Sequence, residues 1–128
     1  MHKLNSLWKI LVAGAVMGVM AAAAPASAES FKDVPVKGMV TMVDLGAKTC
    51  IPCKMMEPVL EKVKKDFQGK AAVIFIDVRM YEEQIKRFEI RAIPTQVFYD
   101  AKGEEVFRHL GFFSEKDIVN QFEKMGVR

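Results

Sequence analysis

Cys50 and Cys53 are the only two cysteines of the 128-residue chain, and they stand together as Cys50-Ile51-Pro52-Cys53. Thiols at this spacing can ligate a metal, staple a fold, or cycle between dithiol and disulfide. A structural zinc site needs four ligands, and after residue 28 the chain adds only His109 to the two sulfurs. A bridge between such near neighbours removes little loop entropy from the unfolded chain, so stapling is a weak use of it. Exchange chemistry fits better. Its nucleophile is the thiolate, which unpaired amides and the dipole at a helix N-terminus favour over the thiol. Pro52 suits a first helical turn, where its missing amide costs no intrahelical bond. One sulfur can then attack and the other resolve.

Those roles require a helix that starts at the cysteines and a sheet that backs it. Met56, Val59, Leu60, Val63 and Phe67 recur at helical spacing with Lys62, Lys64, Lys65 and Asp66 on the other face, and Gly69 ends the element. Pro58 lies inside this pattern and should kink it. Met39–Leu45 before the helix and Val73–Val78 after it are largely apolar runs, as in strands buried on both faces. Strand, helix and strand in this order make a right-handed βαβ unit with a parallel pair. Tyr81–Phe88 reads as a short helix with Tyr81, Ile85 and Phe88 on one face. Gln96–Tyr99 and Glu105–Leu110 flank Ala101-Lys102-Gly103-Glu104 as a hairpin. Ser114 is placed to cap a last helix, with Glu115 and Asp117 in its first turn and Ile118, Val119, Phe122 and Met125 as its buried stripe. The expected fold is one α/β domain: parallel strands, then an antiparallel hairpin, with helices on both faces.

Residues 1–28 have a different composition. Lys3 and Lys9 open the chain, an apolar run spans Ile10–Ala24, and Pro25-Ala26-Ser27-Ala28 follows. Small residues at 26 and 28 satisfy the rule for signal-peptidase cleavage after Ala28. The run is shorter than the about 20 residues needed to cross a hydrocarbon core. The expectation is an exported protein, periplasmic in a Gram-negative cell, whose mature form starts at Glu29 and does not span the membrane. An uncleaved anchor is the competing reading. Lys3 and Lys9 account for two of the 19 basic side chains, and the remainder nearly balance 16 acidic ones. Such a balance leaves no electrostatic footprint for nucleic acid. A secreted domain stapled for stability usually carries several widely spaced bridges, which strengthens the redox reading of a single close pair.

With its elements in place, the sequence resembles the thioredoxin family over nearly all of residues 31–128. The pattern V-D-x-x-A-x-x-C-x-P-C-K-M-M-x-P appears as Val43-Asp44 through Cys50, Cys53-Lys54-Met55-Met56 and Pro58. Ile90-Arg91-Ala92-Ile93-Pro94-Thr95 resembles the family's loop with a cis-proline before a strand, and Gly111 matches a glycine beside the active site. The resemblance implies a thioredoxin fold around a central mixed sheet, no cofactor and no metal. It implies Cys50 as the attacking thiolate, Cys53 as the buried resolving thiol, and a redox-active disulfide between them. Asp44 would lie beneath Cys53 and relay its proton, with a pKa raised by burial in an apolar strand. Ile93, Pro94 and Thr95 would meet an extended substrate strand. Ile51, Gly111 and Phe112 would complete the groove, with Ile51, Ile93 and Phe112 as an apolar rim.

The departures narrow the expectation. Family members resembling cytoplasmic thioredoxin carry tryptophans where this chain has Gly46 and Thr49, and a lysine where it has Val73. Ile51-Pro52 between the cysteines brings no charge or donor to stabilise a thiolate, unlike the oxidase members of the family. The expected function is therefore a thiol–disulfide oxidoreductase that reduces protein disulfides outside the cytoplasm, recharged by a membrane thiol electron donor and acting as a monomer. An oxidase or isomerase, and a non-catalytic chaperone or redox-sensing module using the groove around Pro94, are the competing readings. His109 reads as a structural or solvated histidine, since nothing near it in sequence completes a catalytic pair.

Overall fold

The computed structural model describes residues 31–128, so the proposed leader lies outside the described residues. In chain order the elements are β1 (Thr41–Gly46), α1 (Ile51–Asp66), β2 (Ala72–Asp77), α2 (Glu83–Arg87), β3 (Thr95–Tyr99), β4 (Glu105–Leu110) and α3 (Glu115–Lys124). The sheet order is β2-β1-β3-β4. β1 and β2 run parallel, and the other two pairings are antiparallel. This is the mixed sheet expected from the βαβ unit and hairpin.

Alternation along β1 divides the core. Met42 points to the face covered by α1 and α3, where it packs with Met56, Val63, Phe98, Ile118 and Phe122. Val43 and Leu45 point to the other face and pack with Ile76, Val97, Phe88 and Tyr99. Each such side chain, fully buried, contributes about 1.5–3 kcal/mol of transfer free energy. Every residue of β1 is buried, as a central strand demands. β2 is less covered than the sequence suggested: Phe75 is 36% exposed, because β2 forms an edge of the described sheet. α1 runs from Ile51 to Asp66 with Pro58 inside it. The carbonyl deprived of its donor belongs to Lys54, in an exposed stretch of the helix.

Two expectations need correction. The stretch Tyr81–Phe88 forms a helix only over Glu83–Arg87, and Ile85 does not join its inner face: Ile85 is 39% exposed while Gln84 is buried. Gln84 can turn inward because its amide is occupied locally, donating to Glu83 Oε1 and accepting from Arg87 Nη1. The first strand begins at Thr41 rather than Met39 and runs on through Gly46. The cap of α3 is as expected, with Ser114 Oγ accepting from the Asp117 amide. Among the described residues no helix is long and apolar enough to cross a membrane.

Candidate active site

The site forms where β1 and β4 end and β3 begins. β1 delivers the chain into the short loop 47–50, which is held at two points. The Cys50 amide donates to the Ala47 carbonyl at 3.1 Å. The Lys48 amide donates to Asp77 Oδ2 at 3.2 Å, while Asp77 Oδ1 accepts from the Arg79 amide at 2.9 Å. Asp77, at the end of β2, thus ties down the loop that presents Cys50. In the sequence Asp77 is only one position of the Val73–Val78 run, with no signal that marks this role.

Cys50 is the N-cap of α1 in an extended conformation, and its side chain caps nothing. Its sulfur is therefore left for other chemistry at the positive end of a 16-residue helix whose first turn carries no acidic residue. Cys50 is half-buried, whereas Cys53 is only 3% exposed. The two are joined as a disulfide with Cα atoms 5.1 Å apart. Cys53 rests on Gly46: a β-carbon there would stand 3.2 Å from its sulfur and 3.3 Å from the Phe75 ring. Glycine at 46 lets the first turn of α1 settle onto the end of β1.

Asp44 lies two residues before Gly46, on the same face of β1, and is completely buried. Burial pushes its carboxyl up from the usual 3.8 to about 6, and a hydrogen bond from Gln96 opposes part of that rise. Gln96 Nε2 donates to Asp44 Oδ1 at 2.7 Å. Gln96 stands directly opposite Asp44 in the β1–β3 register and is itself fully buried. Sequence reasoning placed it in a strand and gave it no role. A polar amide opening the otherwise apolar Gln96–Tyr99 run was the available signal. On β2 the residue opposite Asp44 is Phe75, while Val73 pairs with Met42.

The Pro94 loop meets the same end of the sheet. Leu45 pairs with Thr95, so one further step along the antiparallel register brings Pro94 beside Gly46. The Ile93–Pro94 peptide is cis, as is Val34–Pro35. Pro94 is buried, and its carbonyl accepts from the Gly111 amide at 2.8 Å. Gly111 has φ +93°, a conformation that favours glycine. Thr95 is buried with its hydroxyl donating to the Ala92 carbonyl at 2.7 Å, so its side chain holds the loop rather than facing outward. Of the apolar rim, Ile51 is 75% and Phe112 42% exposed, whereas Ile93 packs partly against the core. Phe113 anchors the neighbouring segment, its amide donating to Met56 Sδ at 3.3 Å. His109 stacks on the Phe113 ring with centroids 4.1 Å apart, and its Nε2 lies 3.1 Å from the Phe112 carbonyl.

A dithiol–disulfide pair on a helix N-terminus, backed by a buried carboxyl and a cis-proline loop, defines a thiol–disulfide exchange centre. The thioredoxin family model matches residues 22–124. The chain is 35% identical over 92 residues to thioredoxin of Staphylococcus saprophyticus, covering 72% of this chain and 88% of the relative. Thioredoxin of Staphylococcus aureus is 33% identical over the same lengths. Among solved structures, the germline-specific thioredoxin Deadhead of Drosophila melanogaster superposes with a TM-score of 0.62 at 30% identity, covering 69% of this chain and 82% of that one. The chain belongs to the thioredoxin family. It is a thioredoxin-type thiol–disulfide oxidoreductase with a disulfide-capable Cys50–Cys53 pair.

Proposed function

We propose that this protein reduces protein disulfides outside the cytoplasm. The Cys50 thiolate attacks one sulfur of a substrate disulfide, forms a mixed disulfide and expels the other substrate sulfur as a thiolate, which takes up a proton. Cys53 then gives its proton to Asp44 and attacks Cys50 Sγ. That second exchange closes the Cys50–Cys53 disulfide and expels the second substrate sulfur as a thiolate, which takes up the proton that Asp44 gives back. Two electrons have moved from the pair to the substrate, and a membrane thiol donor returns them. The observation that carries this reading is the asymmetry of the pair: Cys50 half-buried at the N-cap, Cys53 sealed against Gly46. Ile51 and Phe112 border the site as exposed apolar side chains suited to an unfolded or extended protein substrate. Ile93 offers backbone for strand-like pairing with it, beside Pro94 and Gly111, with Thr95 holding the loop.

The reducing direction rests on Ile51-Pro52, which brings no charge to stabilise the Cys50 thiolate beyond the helix itself. Export rests on the basic start, the short apolar run and the cleavage pattern ending at Ala28. The mature chain, from Glu29, acts as a monomer. Insulin reduction driven by dithiothreitol should proceed with the wild type and stop with Cys50→Ser. Equilibration against glutathione should place the pair on the reducing side of glutathione; a more oxidising pair would reverse the assigned direction. Protein purified from the exported fraction should start at Glu29 and lack tryptophan emission, because Trp8 is the chain's one tryptophan. Tryptophan emission from that fraction would mean the leader is retained.

A further inference from the structure

Asp44 and Gln96 form a buried polar pair in which only two of the four side-chain nitrogen and oxygen atoms have a hydrogen-bond partner. Gln96 Nε2 donates to Asp44 Oδ1. Among the described residues, Asp44 Oδ2 and Gln96 Oε1 are buried with no hydrogen-bond partner. Orphaned buried acceptors are costly and rare enough in folded proteins to call for a reason. The neighbouring elements bring mostly apolar side chains to this pair. From β2, Phe75 stands opposite Asp44, with Val73 further along. α1 brings Cys53 and the apolar Met56, and α3 brings Ile118 and Phe122 to the same sheet face. Beyond Gln96, its register partner on β4 is His109, the next titratable group in the row. Burial is the main cause of the raised carboxyl pKa, and the Gln96 hydrogen bond lowers it.

We propose that Gln96 is a positioning residue for proton transfer at Asp44: by occupying Oδ1 as an acceptor, its amide reserves Oδ2 as the oxygen that takes and returns the proton. This rests on the reading of Asp44 as the relay for Cys53. A cationic partner in this place would hold the carboxyl ionised and oppose protonation. A neutral amide behaves differently, because Nε2–H···Oδ1 is a sound hydrogen bond whether Oδ2 carries a proton or not. The geometry of the carboxyl is then kept through both halves of the cycle, and no charge is left uncompensated when the proton arrives.

The test uses the purified protein with the pair oxidised, so that Cys53 does not titrate. The Asp44 carboxyl carbon and the Gln96 side-chain amide should move together in NMR, with one midpoint near pH 6. A Gln96 amide that stays still while Asp44 titrates would overturn the proposal, and this measurement needs no variant to fold. Gln96→Leu should raise the Asp44 midpoint by about one unit, since a bond to the charged form is lost. Gln96→Glu should split the titration into two steps, the upper above that of the Leu variant, because two carboxyls then share one site. The pH profile of mixed-disulfide resolution should follow these shifts, while alkylation of Cys50 does not. A resolving rate blind to Asp44→Asn would sink the relay and the proposal with it. A working relay whose profile ignores Gln96→Leu would overturn the Gln96 assignment alone.

Discussion

Gly46 and Cys53 approach so closely that a β-carbon on Gly46 would lie 3.2 Å from the Cys53 sulfur and 3.3 Å from its β-carbon. The first turn of α1 and the last residue of β1 therefore share space that no larger side chain can enter without displacing one of them. Gly46→Val should destabilise the oxidised protein by about 1–3 kcal/mol, the range for overpacking a tight site. Denaturant unfolding checks this, and a variant as stable as wild type would show that the helix end can retreat at no cost.

The two cysteines should differ sharply in reactivity. In reduced protein, Cys50 should be alkylated at least tenfold faster than Cys53, because it caps the helix half-exposed while Cys53 is sealed. Cys53→Ser should accumulate mixed disulfides with substrate proteins, the resolving thiol being gone. Mass spectrometry of timed alkylation reads both outcomes. Equal rates and no trapped adducts would reverse the roles assigned to the pair.

Asp44 should make stability fall as pH rises. Its folded pKa, about 6, lies above the usual 3.8, so between these values the native state holds a proton that the unfolded chain has lost. The native state is thus favoured most below pH 4, and that advantage is lost as pH rises through 6. The shift corresponds to about 3 kcal/mol as an order of magnitude. Asp44→Asn removes the penalty but buries an amide that can use only part of its hydrogen-bonding capacity, so a net gain of about 1–2 kcal/mol is expected at pH 7. At pH 4 the two forms should be nearly equal. Urea unfolding across pH 4–8 measures the difference, and a gap that does not widen with pH would mean Asp44 titrates normally.

Arg87 should anchor the segment 31–34. Its guanidinium donates to the carbonyls of Phe31 and Val34 and lies over the Phe88 ring, 5.0 Å from its centre. Arg87→Ala should cost about 1–2 kcal/mol. Hydrogen exchange should accelerate at Val34, whose amide bonds to Phe31, more than in β1. Uniform acceleration across both would show that the clamp is not local.

Sequence by itself determined the frame of this protein. Helical spacing from Met56 to Phe67, the apolar runs around it, the turn at Gly103 and the cap at Ser114 are local signals, and local physics reads them directly. The same holds for placing Cys50 at a helix start, because Pro52 and the preceding strand leave little alternative. What tertiary structure decided is the identity of neighbours. Asp44 and Gln96 are 52 residues apart in the chain and become partners only through the β1–β3 register. Asp77 reaches Lys48 across 29 residues, and Gly111 reaches Pro94 only once the hairpin has folded back. Gly46 looked like a missing tryptophan until α1 was laid upon it. Ile85 looked like core until a five-residue helix turned Gln84 inward. Periodicity reports which face of an element is apolar, but register and crossing decide what that face meets, and the chemistry of a buried carboxyl depends on what it meets.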